Sequence, residues 1–232
     1  MKGLNRSLPQ LSLLLGMVVI LLISEPMVSS AWPVKSYRGL SYLYLRAQEN
    51  SRSCGPAALG TVLSELFGIP LERGEPTSSL LDQRERKSGG RDHGNHLQEG
   101  VSLLELKQVS RDFGVSTEGY RIPKDKLGEI VVQIELPLLL HLGNPETHFV
   151  VVYGMAPPPM ERKLIILDPS RGLKVADLKE IGKRWNGFAL AFSPSPGKKK
   201  RAKEVLEKIR KALAARYRTG LFRGVERWDL AS

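Results

Sequence analysis

The chain has 232 residues and an ordinary apolar content of 41%, enough for one globular domain with a hydrophobic core. Its single cysteine excludes an intramolecular disulfide, so the sequence is not that of a disulfide-stabilised scaffold. The net charge of +11 is unevenly spread: residues 197–232 hold 12 Lys and Arg against 4 Asp and Glu, whereas residues 32–196 carry only +2. The basic total therefore says little about what residues 32–196 bind.

Residues 1–31 have the pattern of a secretory signal peptide. A basic start with Lys2 and Arg6 precedes an uncharged apolar run over residues 11–23, and small residues before Trp32 favour cleavage there. The run is short for a membrane span, which needs about 20 residues, so an uncleaved anchor is the second interpretation. We therefore expect a periplasmic or otherwise exported protein.

Residues 48–68 hold the only cysteine, Cys54, at the start of a helical pattern. Pro56 suits the first turn of a helix, and Gly68 supplies a stop. One apolar stripe at helical spacing contains Ala57, Ala58, Leu59, Val62, Leu63, Leu66 and Phe67. Free backbone N–H groups and the helix dipole favour a thiolate at a helix start, so Cys54 is a candidate nucleophile. The alternative is that Cys54 is a small buried core residue. An unpaired thiol in an exported protein, however, favours a cysteine with a chemical role.

Residues 70–100 are polar and rich in Gly, Ser and charged residues, which predicts an exposed loop beside a substrate cleft. Asp92, His93 and His96 within it are conceivable metal ligands. However, no predicted helix would hold these three side chains in a fixed arrangement, and no further ligand cluster occurs in the sequence. We therefore expect no metal and no cofactor.

The rest of the chain predicts two helices followed by a sheet. Residues 101–113 form the first helix, with a capping box of Ser102 and Glu105, and residues 123–133 form a second, shorter one. Four apolar segments predict strands: residues 136–142, 148–155, 163–167 and 187–192. Because these strands are closely spaced, the sheet should be antiparallel, and residues 32–196 should form one α+β domain.

Two polar residues stand at strand ends in this pattern. His148 begins the most apolar strand and Asp168 ends the next one, an arrangement that suits a base and the carboxylate that orients it. The alternatives are a histidine without a role and an aspartate that forms a turn before Pro169. Gln48, six residues before Cys54, is a candidate hydrogen-bond donor to an oxyanion, with a solvated surface glutamine as the alternative.

These residues together resemble the bacteriocin-processing, or double-glycine, cysteine peptidases, a branch of the papain-like fold. The resemblance spans residues 45–193 and is carried by Gln48, Cys54 to Ala58, Gly100 to Leu106, His148 to Val152, Asp168-Pro169 and Trp185-Asn186-Gly187. It implies a nucleophile helix packed against an antiparallel sheet that carries the histidine and the aspartate. It also implies that Cys54 is the nucleophile, His148 the general base and acid, Asp168 its orienting group and Gln48 the oxyanion donor.

The sequence departs from the family pattern in three ways. Ser53 stands where the family usually has an acidic residue, and residues 70–100 are longer than usual. Many members are front domains of ABC export proteins, whereas this sequence shows no G-x-x-x-x-G-K-[ST] loop and no set of membrane spans. It therefore resembles the stand-alone envelope members, some of which serve secretion or assembly systems for fibrous or pilus-like products.

We therefore expect an exported cysteine endopeptidase that cleaves a secreted or leader-bearing polypeptide through a thioacyl intermediate, with secretion or export machinery as a possible partner. The alternatives are a non-catalytic peptide-binding module with the same fold and an acyl transferase with the same triad. The basic segment, residues 197–232, predicts an amphipathic helix that lies on an anionic membrane surface, docks a partner or is simply solvated. No nucleic-acid binding is expected.

Overall fold

The fold is a six-stranded antiparallel sheet covered by helices on both faces. The computed structural model describes residues 41–72, 74–88, 100–143 and 147–218, all within one unit over residues 36–232. The expected signal peptide and the loop with Asp92, His93 and His96 lie outside the described residues. Among the helices that are described, none has the length and apolar character needed to cross a membrane.

The first described helix begins at the cysteine. Helix α1 covers Cys54–Gly60 and continues as a π-helical segment over Thr61–Leu66. Gly68 follows with a φ of +71°, a left-handed conformation that ends the helix as the sequence predicts. The predicted apolar stripe is buried in the core through Ala58, Leu59, Val62, Leu63, Leu66 and Phe67.

The prediction of an exposed loop over residues 70–100 is wrong for the first half of this segment. Helix α2 covers Glu75–Ser88, with Pro76 in its first turn and Leu80 in the core. The helix was missed because its composition is strongly polar, so it gives almost no apolar periodicity. The proline at the start of this segment was the local signal for a helix.

The two helices predicted for the middle of the chain are present. Helix α3 covers Leu103–Asp112, and its capping box is formed as predicted. The Ser102 hydroxyl accepts from the Glu105 N–H at 3.2 Å, and the Glu105 carboxylate accepts from the Ser102 N–H at 2.9 Å. A single 3₁₀ turn over Lys124–Lys126 leads into helix α4, Leu127–Ile134.

The sheet has the order β1-β6-β2-β3-β4-β5, and every neighbouring pair is antiparallel. Its strands are β1 Ser116–Arg121, β2 Leu138–Leu142, β3 His148–Met155, β4 Lys163–Asp168, β5 Gly172–Asp177 and β6 Trp185–Ser193. The four predicted strands are β2, β3, β4 and β6, and the α+β prediction is confirmed. The strands missed are the two edges, β1 and β5, which are more polar because they have only one neighbour.

Helices cover both faces of the sheet, so its central strands are buried on both sides. Helices α1 to α3 pack on one face, where Val151 and Leu167 point. Helix α4 and helix α5, Leu178–Arg184, pack on the other, where Val150 and Ile166 point. This arrangement explains why the central strands read as continuous apolar runs instead of alternating patterns.

The basic segment starts as a long helix that packs on the body. Helix α6 covers Pro196–Arg218, and its buried residues are Ala202, Val205, Leu206, Ile209 and Leu213. The Tyr153 hydroxyl donates to the Ala202 carbonyl, and Arg210 Nε donates to the Met155 carbonyl at 3.1 Å. The apolar face of α6 is therefore covered by the protein itself, and only its charged face remains outside.

Candidate active site

The site forms where the start of α1 meets two strand ends. Cys54 is the first residue of α1 and is only 6% exposed. His148 is the first residue of β3 and Asp168 the last of β4. Because β3 and β4 are antiparallel neighbours, with Val151 opposite Leu167, the first residue of one lies close to the last residue of the other.

The carboxylate of Asp168 is buried, and one of its oxygens, Oδ1, is held by several hydrogen bonds. Its Oδ1 lies 2.9 Å from His148 Nε2, and the residue is 1% exposed. The same oxygen accepts from the Ser170 N–H at 2.9 Å, the Ser170 hydroxyl at 2.7 Å and the Arg171 N–H at 3.3 Å. Burial raises the pKa of Asp168, but the bonds from His148 and Ser170 outweigh it and lower the pKa below its usual value. The carboxylate therefore stays ionised and fixes the imidazole ring.

The thiol and the imidazole stabilise each other's charged forms. Burial lowers the pKa of His148, but the hydrogen bonds and charges of Asp168 and Cys54 raise it to about 9. Burial raises the pKa of Cys54, but the His148 hydrogen bond and charge, with the backbone N–H groups of Phe149 and Gly55, lower it below its ordinary value. Since Nε2 is bonded to Asp168, Nδ1 is the ring nitrogen left for the sulfur. The hydrogen bond between the two groups and their opposite charges therefore favour the thiolate and imidazolium form of the pair.

Gln48 is fixed beside the same strand end. Its backbone N–H donates to the carbonyl of Pro169, the residue after Asp168, at 3.0 Å. Its side-chain Oε1 is buried and accepts no hydrogen bond from any residue that the structure describes. The placement suits the oxyanion donor that the resemblance implies.

A cleft of about 670 Å³ opens on the Gln48 side of α1. Its walls include Gln48, Ser53, Pro56, Gly74 and Pro76, so it runs from the start of α1 to the start of α2. Gln48 borders both this cleft and the strand end that carries Asp168. The lining residues include Ser53 and Pro56 but not Cys54, His148 or Asp168, so the cleft adjoins the start of α1 and not the sulfur itself.

Two supporting residues were not found from the sequence. Ser170 donates twice to Asp168, and Tyr42 donates to the Ser170 carbonyl at 2.8 Å. The serine two residues after an aspartate is a turn signal that the sequence offered. No local signal pointed to Tyr42, because it is 128 residues away from Ser170 in the chain. Within the described ranges, no group of three or more potential metal ligands occurs.

The helix that begins at Cys54, the antiparallel sheet and the strand-end histidine and aspartate define a papain-like fold. Residues 91–197 match the model of the Peptidase C39 family, a range that contains His148 and Asp168 but begins after Cys54 and Gln48. Among solved structures, the peptidase domain of Streptococcus ComA, a bifunctional ABC transporter involved in quorum sensing, superposes with a TM-score of 0.50 and 22% identity. That match covers 66% of this chain and 98% of the ComA domain.

Two protein relatives carry the name "Probable functional amyloid protease FapD". The Pseudomonas aeruginosa protein is 28% identical over 158 residues, and the Pseudomonas fluorescens protein is 26% identical over 159 residues. Each match covers 68% of this chain and 64% of the relative, so it spans less than two thirds of the relative's length. The chain is thus similar to the Peptidase C39 family over residues 91–197 and to these two relatives, and the resemblance stated from its sequence is confirmed.

Proposed function

We propose that this protein is a cysteine endopeptidase in which Cys54 attacks the scissile carbonyl carbon of a polypeptide. The observation that carries the proposal is the chain of contacts from the thiol through His148 to the buried carboxylate of Asp168. Such a chain supplies a thiolate, a proton donor and a group that holds the donor in place. A core cysteine without a function needs neither the imidazole nor the carboxylate.

The proposed reaction has two stages. The Cys54 thiolate adds to the carbonyl carbon, and the resulting oxyanion accepts hydrogen bonds from Gln48 Nε2 and the Cys54 backbone N–H. As the C–N bond breaks, the proton on His148 Nδ1 passes to the leaving amine and a thioester remains. Neutral His148 then takes a proton from water, the hydroxide adds to the thioester, and the carboxylic acid product and the thiolate form.

The proposed substrate is an exported polypeptide of a secretion or assembly system, cut within its chain or after a leader. Two observations support this class. The relatives named above are called functional amyloid proteases, and residues 1–31 have the pattern of an export signal. The site we propose therefore works outside the cytoplasm, and the export machinery is its proposed partner.

The test compares residues 32–232 of the wild type with the Cys54→Ala variant on a proteome-derived peptide library. Mass spectrometry of the new termini should show defined cleavages with the wild type and none with Cys54→Ala, while circular dichroism and the melting temperature show that the variant is folded. New amine adducts in place of free carboxylates would identify an acyl transferase. Equal cleavage by both proteins, or none by the wild type, would refute the peptidase proposal, and the latter would favour a peptide-binding module.

A further inference from the structure

The hydroxyl of Ser53 is the centre of the loop that leads into α1. Its oxygen accepts from the backbone N–H of Glu49 at 2.9 Å and from that of Asn50 at 3.0 Å. The same hydroxyl donates to the Asn50 carbonyl at 3.0 Å. The Ser53 backbone N–H also donates to this carbonyl, at 3.2 Å. Ser53 is 8% exposed, so these bonds are largely shielded from water.

The position of Ser53 in the chain gives these bonds their importance. Ser53 directly precedes the candidate nucleophile Cys54, and Glu49 directly follows the candidate oxyanion donor Gln48. One hydroxyl therefore links the neighbour of the nucleophile to the neighbour of the donor. On its other side, Gln48 is held by the Pro169 carbonyl, next to the Asp168 carboxylate.

We propose that Ser53 is a positioning residue that sets the Gln48 amide relative to the Cys54 sulfur, an inference that rests on the proposed function. An oxyanion donor is effective only when it already points at the place where the charge develops. Without the hydroxyl, two backbone N–H groups of this loop lose their acceptor, and the loop is free to move the donor. The thiolate itself does not depend on this loop, because its stabilising groups are His148, Phe149 and Gly55.

Two probes separate the donor from the nucleophile. Transfer of the acetyl group from p-nitrophenyl acetate to Cys54 passes through an oxyanion, whereas alkylation of the same sulfur by iodoacetamide does not. Ser53→Ala should slow acetylation by about 10- to 100-fold, because a misplacement near 1 Å costs up to about 100-fold. It should leave the rate of alkylation and its pH profile unchanged.

Two further variants make the test specific. Ser53→Asp places carboxylate oxygens where the Glu49 and Asn50 N–H groups need an acceptor, so it should restore most of the acetylation rate. Ser110→Ala is the matched control, because the Ser110 hydroxyl near the end of α3 is also buried and donates to a backbone carbonyl, that of Val115, at 3.0 Å. The control should lose stability without losing acetylation.

The outcomes distinguish this inference from the peptidase proposal. Acetylation of Ser53→Ala at the wild-type rate would overturn the positioning role, as would an equal loss of acetylation and alkylation. If Ser53→Ala does not fold, Ser53→Asp decides: near-wild-type acetylation supports the role, and a loss as large as that of a Gln48→Ala variant contradicts it. Failure of the wild type to cleave any peptide while Cys54 is still acetylated would overturn the peptidase proposal alone.

Discussion

Replacing Asp168 with Asn tests the source of the charge on His148. The amide keeps the volume of the carboxylate in a site that is 1% exposed, but it removes the negative charge from the 2.9 Å contact with His148 Nε2. A hydrogen bond to a charged group contributes about 1.5–3 kcal/mol, which corresponds to about 1–2 pKa units at 1.4 kcal/mol per unit. The pKa of His148 should therefore fall from about 9 to about 7–8.

The direct measurement is an NMR titration of the His148 Cε1–H signal, assigned by its loss in a His148→Gln variant. The pH dependence of peptide cleavage should change with the His148 pKa. The alkaline fall of kcat/KM marks the loss of the imidazolium proton, so the pH of this fall should be lower by the same amount in Asp168→Asn. Asp177→Asn is the control, because Asp177 is exposed and its side chain makes no cap bond. An unshifted His148 titration in Asp168→Asn would refute the assignment of Asp168 as the group that holds the charge.

The same shift predicts how stability depends on pH. A histidine whose pKa is raised on folding adds stability that is complete below its unfolded value near 6.5 and is lost as the pH rises through about 9. The lowered pKa of Cys54 contributes with the opposite sign over the same interval, so the decline should be measured in the Cys54→Ala variant, where the melting temperature should fall as the pH rises above about 6.5. In the double variant Cys54→Ala, Asp168→Asn the decline should be smaller and should finish at lower pH, because the folded pKa of His148 is lower without the carboxylate.

Two packing predictions concern helices α1 and α6. Gly55→Ala should cost about 1–3 kcal/mol in chemical unfolding, because its Cβ would lie 2.3 Å from Val101 Cγ1. Gly182→Ala on α5, whose Cβ would meet nothing within 4 Å, should instead raise the free energy of unfolding by up to about 1 kcal/mol, and equal effects of the two variants would refute the packing argument.

Ile209→Ala on the buried face of α6 should lower the free energy of unfolding by about 2–5 kcal/mol, whereas Lys208→Ala on its exposed face should change it by no more than about 0.5 kcal/mol. Equal melting temperatures for the two α6 variants would show that the helix contributes nothing to the fold.

The sequence by itself determined the elements that have a strong local signal. The stripe from Ala57 to Phe67 predicted α1, the Ser102 and Glu105 pair predicted the start of α3, and the long apolar runs predicted the four inner strands. These signals are local because periodicity and capping depend on residues only a few positions apart. Their positions at strand ends also identified His148 and Asp168 as candidate site residues. The structure brings their side chains together with Cys54, and their catalytic roles stay predictions.

Only the tertiary structure decided the elements and contacts that depend on distant partners. The polar edge strands β1 and β5 are strands because a neighbouring strand pairs with them, and α2 is a helix whose Leu80 reaches the core. Whether the apolar face of α6 meets the body, a membrane or a partner is not encoded in its own residues, and contacts with Tyr153 and Met155 settle it for the body. Tyr42 supports Ser170 across 128 positions, a distance at which the sequence carries no periodic signal, because such pairs form only when the chain has folded.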